Sequence, residues 1–393
     1  MRSAKWTKRL AVQGIIMAVA QASIAYADAP AAKWYDTVGL SGYLQSSYTG
    51  NFSASPHNKT NIGRQFDTNA NSFNFNTFLL QVAKPVGDSD HYGFTVRLRT
   101  GQDAASISGG GSLFVQEAYL TYAVPATKLS ITGGKFVTSE GVEVVDTVAN
   151  PNFSEGLLFF AAEPIAHTGL KANYTFSDKI NATIGVVNGW DSLPGNQGSP
   201  DVNDNKTILW QVATTPTKQI TWSFQGLYGD ELAPSLTSGA PAPSDHSKRL
   251  SLDTVVGFNP MDKLSLAAQG NWGEQTKDPA TTNSNGTTHW LGAGVWATLP
   301  ETSKCSTSLR FEVLSDQNNA NRFGVATPSP FLDGTNNQTV KEFTVTQKHM
   351  LTPAMGVRAE YRHDWSNQAY FVRSDGSAVR NQNTVSADWF VTF

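Results

Sequence analysis

The sequence predicts an all-β fold, a transmembrane antiparallel β-barrel of about sixteen strands. Three observations predict it. Segments of roughly ten residues alternate apolar and polar side chains at period two, the mark of strands with two unlike faces. The connections between them alternate strictly between short and long. The chain stops at Phe393, an aromatic at the end of an alternating segment.

The first element to justify lies outside the barrel. Arg2, Lys5, Lys8 and Arg9 form a basic start, and Leu10 to Ala20 form a short apolar run broken by Gln13 and Gly14. Ala25-Tyr26-Ala27 is a small-x-small cleavage site before Asp28. These three features in this order define a secretory signal peptide over 1–27, with the barrel over 28–393. No cysteine stands at the cleavage point, which excludes a lipid-anchored protein. The leader holds four basic and no acidic residues, so losing it takes the net charge from −3 to −7. A chain that acidic is a poor binder of nucleic acid.

The strands follow. In Phe94-Thr95-Val96-Arg97-Leu98-Arg99 the apolar face is Phe94, Val96 and Leu98, and the polar face carries two arginines. Leu170, Ala172, Tyr174 and Phe176 alternate with Lys171, Asn173 and Thr175. Met355, Val357, Ala359 and Tyr361 alternate with Gly356, Arg358, Glu360 and Arg362. The last segment sets Val385, Ala387, Trp389, Val391 and Phe393 against Ser386, Asp388 and Thr392. A soluble sandwich also alternates. Aromatics at segment ends, full charges on the polar face and the strict rhythm of connections all favour a barrel in a membrane.

The short connections are Val86–Asp90, Val124–Thr127, Ser177–Lys179, Thr215–Lys218, Asn259–Asp262, Pro300–Ser303 and Leu351–Pro353. Five of these seven contain proline, which suits positions that need no ladder donor. The long ones are polar, at about 51–70, 102–112, 138–166, 190–206, 230–247, 274–288, 315–338 and 365–382. The pattern places short turns on the periplasmic side and long loops on the extracellular side, with both termini periplasmic.

Composition excludes the main competitors. Charged residues make up 16% and mean hydropathy is −0.30, so no run of about 20 apolar residues exists for a spanning helix. With 21 Phe, 11 Tyr and 10 Trp the chain is too aromatic for disorder. A single cysteine, Cys305, rules out a disulfide scaffold and a cysteine zinc site.

Over about 40–215 the sequence resembles the OmpL-like putative β-barrel porin family. The resemblance is carried by Gly133-Gly134-Lys135-Phe136, Gly141-Val142-Glu143, Asn150-Pro151-Asn152-Phe153-Ser154, Glu163-Pro164-Ile165-Ala166-His167-Thr168-Gly169 and Val187-Asn188-Gly189-Trp190-Asp191. Gly42-Tyr43, Arg64-Gln65-Phe66-Asp67 and Gln116-Glu117-Ala118-Tyr119 look similar too. The resemblance implies a channel-forming barrel in a Gram-negative outer membrane; together with the polar, charged inward faces it predicts a water-filled path for passive diffusion of small hydrophilic solutes. The alternative is a plugged structural or adhesin-like barrel acting through its extracellular loops.

The segment 138–166 is the longest connection and follows the fifth strand. In sixteen-stranded general porins the loop at that place folds into the lumen, so by analogy it is the candidate constriction. Its charged side chains are Glu140, Glu143, Asp146, Glu155 and Glu163, with no Lys or Arg. Its apolar cluster Phe153, Leu157, Leu158, Phe159 and Phe160 favours packing inside. Candidate wall partners on polar faces are Arg97, Arg99, Lys171, Arg310, Arg358 and Arg362. Acids facing bases across a pore would set a transverse field, here leaning toward cations.

No enzyme site is expected. None of His57, His91, His167, His246, His289, His349 and His363 stands in a recognisable spacing with a serine and a carboxylate. Asp201-Val202-Asn203-Asp204-Asn205 lacks the glycine and closing glutamate of a calcium loop. Gly292-Ala293-Gly294 and Gly109-Gly110-Gly111 are not followed by a helix, so neither cradles a nucleotide. No cofactor and no metal are expected. The expected partners are outer-membrane lipid, small hydrophilic solutes and, through Phe393, the barrel-assembly machinery, which reads terminal aromatics of such proteins. Monomer and homotrimer both fit the sequence.

Overall fold

The computed structural model describes residues 37–53, 59–108, 110–190, 205–231, 248–276, 287–317, 338–373 and 375–393. The expected leader 1–27, the segment 201–204 and most of the expected long loops 190–206, 230–247, 274–288 and 315–338 lie outside the described residues.

Among the described residues, sixteen antiparallel strands close into one barrel. The first nine are β1 (Gly39–Asn51), β2 (Ser72–Lys84), β3 (Tyr92–Thr100), β4 (Leu113–Ala123), β5 (Leu129–Val137), β6 (Ala166–Ser177), β7 (Ile180–Val187), β8 (Thr207–Thr214) and β9 (Ile220–Asp230). Then come β10 (Lys248–Met261), β11 (Leu264–Gln275), β12 (Thr288–Pro300), β13 (Cys305–Gln317), β14 (Gln338–Met350) and β15 (Met355–Ser366). A two-stranded ribbon, β16 (Phe371–Val372) and β17 (Ala378–Val379), interrupts the last long connection, and β18 (Asn381–Thr392) completes the ring against β1. The seam ends at Gly42 and Phe393, each donating its N–H to the other's carbonyl at 3.0 Å.

Connections alternate short and long as the turn residues predict. One small difference concerns Pro260. Instead of sitting in the turn it lies inside β10, where the pairing with β11 shifts between Phe258 and Met261. A bulge is where a strand tolerates a residue without an N–H.

Outward positions carry Leu40, Leu44, Tyr48, Leu120, Leu170, Ile184, Leu291, Val295 and Trp389, all exposed. An apolar belt of this extent has no place in water and faces lipid. No helix among the described residues is long and apolar enough to span a membrane. The strands do the spanning, and closure pairs their backbone groups.

The core sits in the lumen. Two short helices lie in long connections, α1 (Gln102–Ser108) after β3 and α2 (Leu157–Ala161) after β5. Val142, Leu157, Leu158, Ala161 and Ala162 pack against Val187, Leu209, Leu227, Val255, Trp290 and Leu314 of the wall and against Tyr370 and Phe371. On the opposite side Val145, Phe159 and Ile165 pack with Phe66, Ala104, Ile107 and Phe114. The loop between β5 and β6 therefore crosses the lumen.

Candidate functional site

The loop is buried for most of its length because its apolar side chains seek the interior. That choice takes backbone polar groups and carboxylates out of bulk water, and each needs a partner. The wall supplies them from inward positions of the strands, which lie two residues apart by the pleat.

Arg358 on β15 donates through Nη1 to the carbonyls of Thr147 (3.0 Å), Asn150 (3.0 Å) and Asn152 (2.9 Å). Its remaining nitrogens hold Asp388 in a fork, both at 2.9 Å. Arg362, one pleat repeat on from Glu360, donates to the Glu155 carbonyl at 2.5 Å and pairs with Asp364 at 2.8 Å. Arg310 on β13 donates to Glu143 and to the Ser154 carbonyl, each at 2.5 Å, and pairs with Glu342 at 2.9 Å. Carboxylates of the wall take the loop's N–H groups. Glu360 accepts from Phe153 (2.6 Å) and Ser154 (3.1 Å), and Glu312 accepts from Leu157 at the start of α2.

The loop's first turn is held by β10 and β11. Gly141 adopts φ +91, a conformation that glycine takes without strain. It donates to Asp253 at 3.2 Å, and Val142 donates to Gln269 at 3.1 Å. Gln269 also donates to Glu163 (2.5 Å) and Asp253 (2.7 Å), while Ser251 donates to Glu140 at 3.1 Å.

The third anchor is on β3. Arg99 is fully buried and donates to Gln116 (2.7 Å), Tyr43 (3.0 Å), the Val145 carbonyl (3.0 Å) and Asp146 (2.9 Å). Arg97 pairs with Asp146 and with Glu117 at 3.1 Å. The side chains of Arg97 and Asp146 each keep 17% exposure, so water reaches this pair.

All six wall residues named from the sequence therefore face inward. The expected field of five loop acids opposite them is not what the structure builds. Glu143 and Asp146 pair directly with arginines. Glu140 is buried at Ser251. Glu163 is buried at Gln269, and both carboxylate oxygens of Glu155 lack a hydrogen-bond partner among the described residues. Lys171 meets no loop acid and lies over the Phe136 ring at 4.1 Å. The physical reason is that carboxylates attached to an apolar segment follow it into the packed interior.

Environment then divides the acids. Burial pushes the Asp146 carboxyl up, but Arg97 and Arg99 outweigh it and hold it below the usual carboxylate range. Burial raises Glu155 well above its ordinary range, and the nearby carboxylates of Glu143, Asp103 and Asp67 add to the effect. Burial likewise raises Glu163, reinforced by Asp253. Burial thus disfavours the charged form of both Glu155 and Glu163.

Sequence reasoning missed the acceptors Glu312 and Asp253, and it noted Arg64 only within the family resemblance. Arg64 is buried and pairs with Asp364 at 2.7 Å and Asp67 at 3.3 Å. The alternation marks Glu312 and Asp253 as inward, which is the one signal that could have found them.

His167 is buried and lies 3.3 Å from the Gly189 carbonyl, with no serine or carboxylate partner among its hydrogen bonds. The described residues hold no cluster of three or more His, Cys, Asp or Glu fit for a metal ion.

Comparison with known proteins agrees with this architecture. No curated protein sequence matches the chain. Among solved structures it is similar to OprB of Pseudomonas putida at 10% identity, covering 91% of this chain and 94% of that one with a TM-score of 0.58. An anion-selective porin from Comamonas acidovorans aligns at 9% identity over 91% and 99% of the two chains, with a TM-score of 0.58. The outer-membrane channel DcaP of Acinetobacter baumannii aligns at 13% identity over 91% and 97%, with a TM-score of 0.56. At such identities the likeness speaks for the fold alone. A family model described as putative beta-barrel porin-2, OmpL-like, matches residues 37–393, and with the closed sixteen-strand barrel this makes the chain an outer-membrane protein belonging to that family.

Proposed function

We propose that the protein is an outer-membrane porin that passes small hydrophilic solutes by diffusion, narrowed by the loop over 138–166. The observation that carries this reading is the contrast between the two halves of the lumen. At the level of the loop the interior is packed. Toward the short turns, inward Thr95, Thr121, Asn173, Thr183 and Ser223 are polar and only half buried, as the lining of an aqueous vestibule would be. The passage runs past the water-reaching edge of the loop, beside Arg97, Asp146 and Lys171. Rigid seating of the loop on Arg99, Arg310 and Arg358 keeps that aperture small and constant.

Osmotic swelling of liposomes containing the folded protein tests this. Small sugars should enter and larger oligosaccharides should not. Equal exclusion of both would refute the reading. It would favour the second one, a plugged barrel acting through its loops, for which the two apolar clusters in the lumen are the supporting observation.

The same reading has short turns in the periplasm and a leader removed after Ala27. The intact mass of the protein purified from membranes should then begin at Asp28. Recognition of Phe393 by the assembly machinery fits its place at the seam, where its ring lies 6.3 Å from that of Phe78. Assembly as a homotrimer, through the apolar outer belt, belongs to this reading and is read by cross-linking in native membranes.

A further inference from the structure

Among the described residues, inward charges divide into packed or paired ones and a few half-buried ones. The inward carboxylates of the strands, from Asp253 on β10 through Glu312, Glu342, Glu360 and Asp364 to Asp388 on β18, are all buried. Most of them serve arginines or loop N–H groups. In the loop itself Glu140, Glu155 and Glu163 are buried too. At the water-reaching edge, Arg97 and Arg99 are met by Asp146, Glu117 and the buried Asp103, so neither arginine there is left without an acid.

Two inward cations stand apart from this pairing. Lys171 on β6 is half buried, and its ammonium lies 4.1 Å from the centre of the Phe136 ring. Lys348 on β14 is half buried, with its ammonium 5.2 Å from the centre of the Phe390 ring. Neither forms an ion pair among the described residues. Each rests on the face of an aromatic ring, which holds a cation without cancelling its charge. Lys348 stands opposite Arg358 in the register, two residues from the end of β14, and so near the short-turn mouth. Lys171 stands opposite Thr132, and its ammonium reaches toward the loop end of β5, over Phe136.

We infer that Lys171 and Lys348 make the aqueous lumen an anion-preferring path, one lysine near the mouth and one near the constriction. The ligand class is small inorganic anions and carboxylates, which a lysine attracts as a mobile point charge. This reverses the cation lean that a count of loop acids suggests, because those acids are packed away from water or paired. It rests on the channel reading proposed above.

The test is the zero-current potential of folded full-length protein in planar bilayers under a potassium chloride gradient. Wild type should pass chloride in preference to potassium. K171Q and K348Q should each lower that preference, and K171E with K348E should turn it into a preference for potassium. Strand content by circular dichroism and heat-modifiable mobility confirm that the variants fold. A wild-type channel that prefers potassium, or a preference unmoved by the double substitution, overturns the inference while leaving the channel reading intact. Absence of any current from folded protein overturns both.

Discussion

Replacing Arg310 by methionine should unseat the loop while leaving the barrel standing. The Arg310 guanidinium lies between Glu143 at 2.5 Å and Glu342 at 2.9 Å and also holds the Ser154 carbonyl, and all three ionic side chains are almost wholly buried. Methionine matches the volume of the stem but leaves two carboxylates in the interior. Glu342 keeps the hydroxyl bond from Thr344 and the longer contact to Arg362 at 3.5 Å, and Glu143 keeps only its bond from the Gly156 N–H. Removing one partner of such a buried pair costs about 3–5 kcal/mol. The cost falls on the loop because β13 remains paired with β12 and β14 along its backbone. At about 1.4 kcal/mol per factor of ten, local opening becomes roughly a hundredfold or more commoner. Hydrogen exchange of the Phe153, Ser154, Gly156 and Leu157 amides in detergent micelles reads this, since their acceptors are Glu360, Glu143 and Glu312. Exchange at wild-type rates in the variant would refute the claim that Arg310 seats the loop.

Two further outcomes follow from the same geometry. Glu155 and Glu163 have carboxyls raised above their unfolded range, so their contribution to loop stability is complete in acid and is lost as pH rises through the raised values. Protease resistance of the loop should therefore fall toward alkaline pH, and resistance that stays level or increases would count against the buried placement. Gly156 lies so close to the Glu312 carboxylate that a Cβ would overlap it. Gly156→Val should displace α2 at a cost of about 1–3 kcal/mol, seen as faster chymotryptic cleavage at Phe159 and Phe160, and an unchanged cleavage rate would oppose the assigned contact.

Much of this was legible in the sequence because a barrel is a periodic object. Period two assigns each strand residue to lumen or lipid, and the inward placement of Arg97, Lys171, Arg358 and Arg362 follows from that alone. The loop's length and its run Leu157 to Phe160 point to the interior without any coordinates. Pairing was not legible. Arg310 and Glu143 are 167 positions apart, and Asp253 meets Gly141 across 112. Such partners are set by where a folded loop crosses the barrel, which no local pattern records. For the same reason the loop acids looked like one charged rim, although the apolar residues between them carry three into the packing and bring two onto arginines. The inward folding of Arg64 and of Tyr370 with Phe371 is likewise a long-range outcome of apolar packing over the lumen.

The central claim is that water and small solutes cross this barrel past a fixed loop. Single-channel recording of the purified, folded protein in a planar bilayer tests it most directly. Uniform stepwise insertions of small conductance with quiet open currents are expected, as a narrow aperture with a firmly seated loop requires. Folded protein that inserts without conductance steps would contradict it.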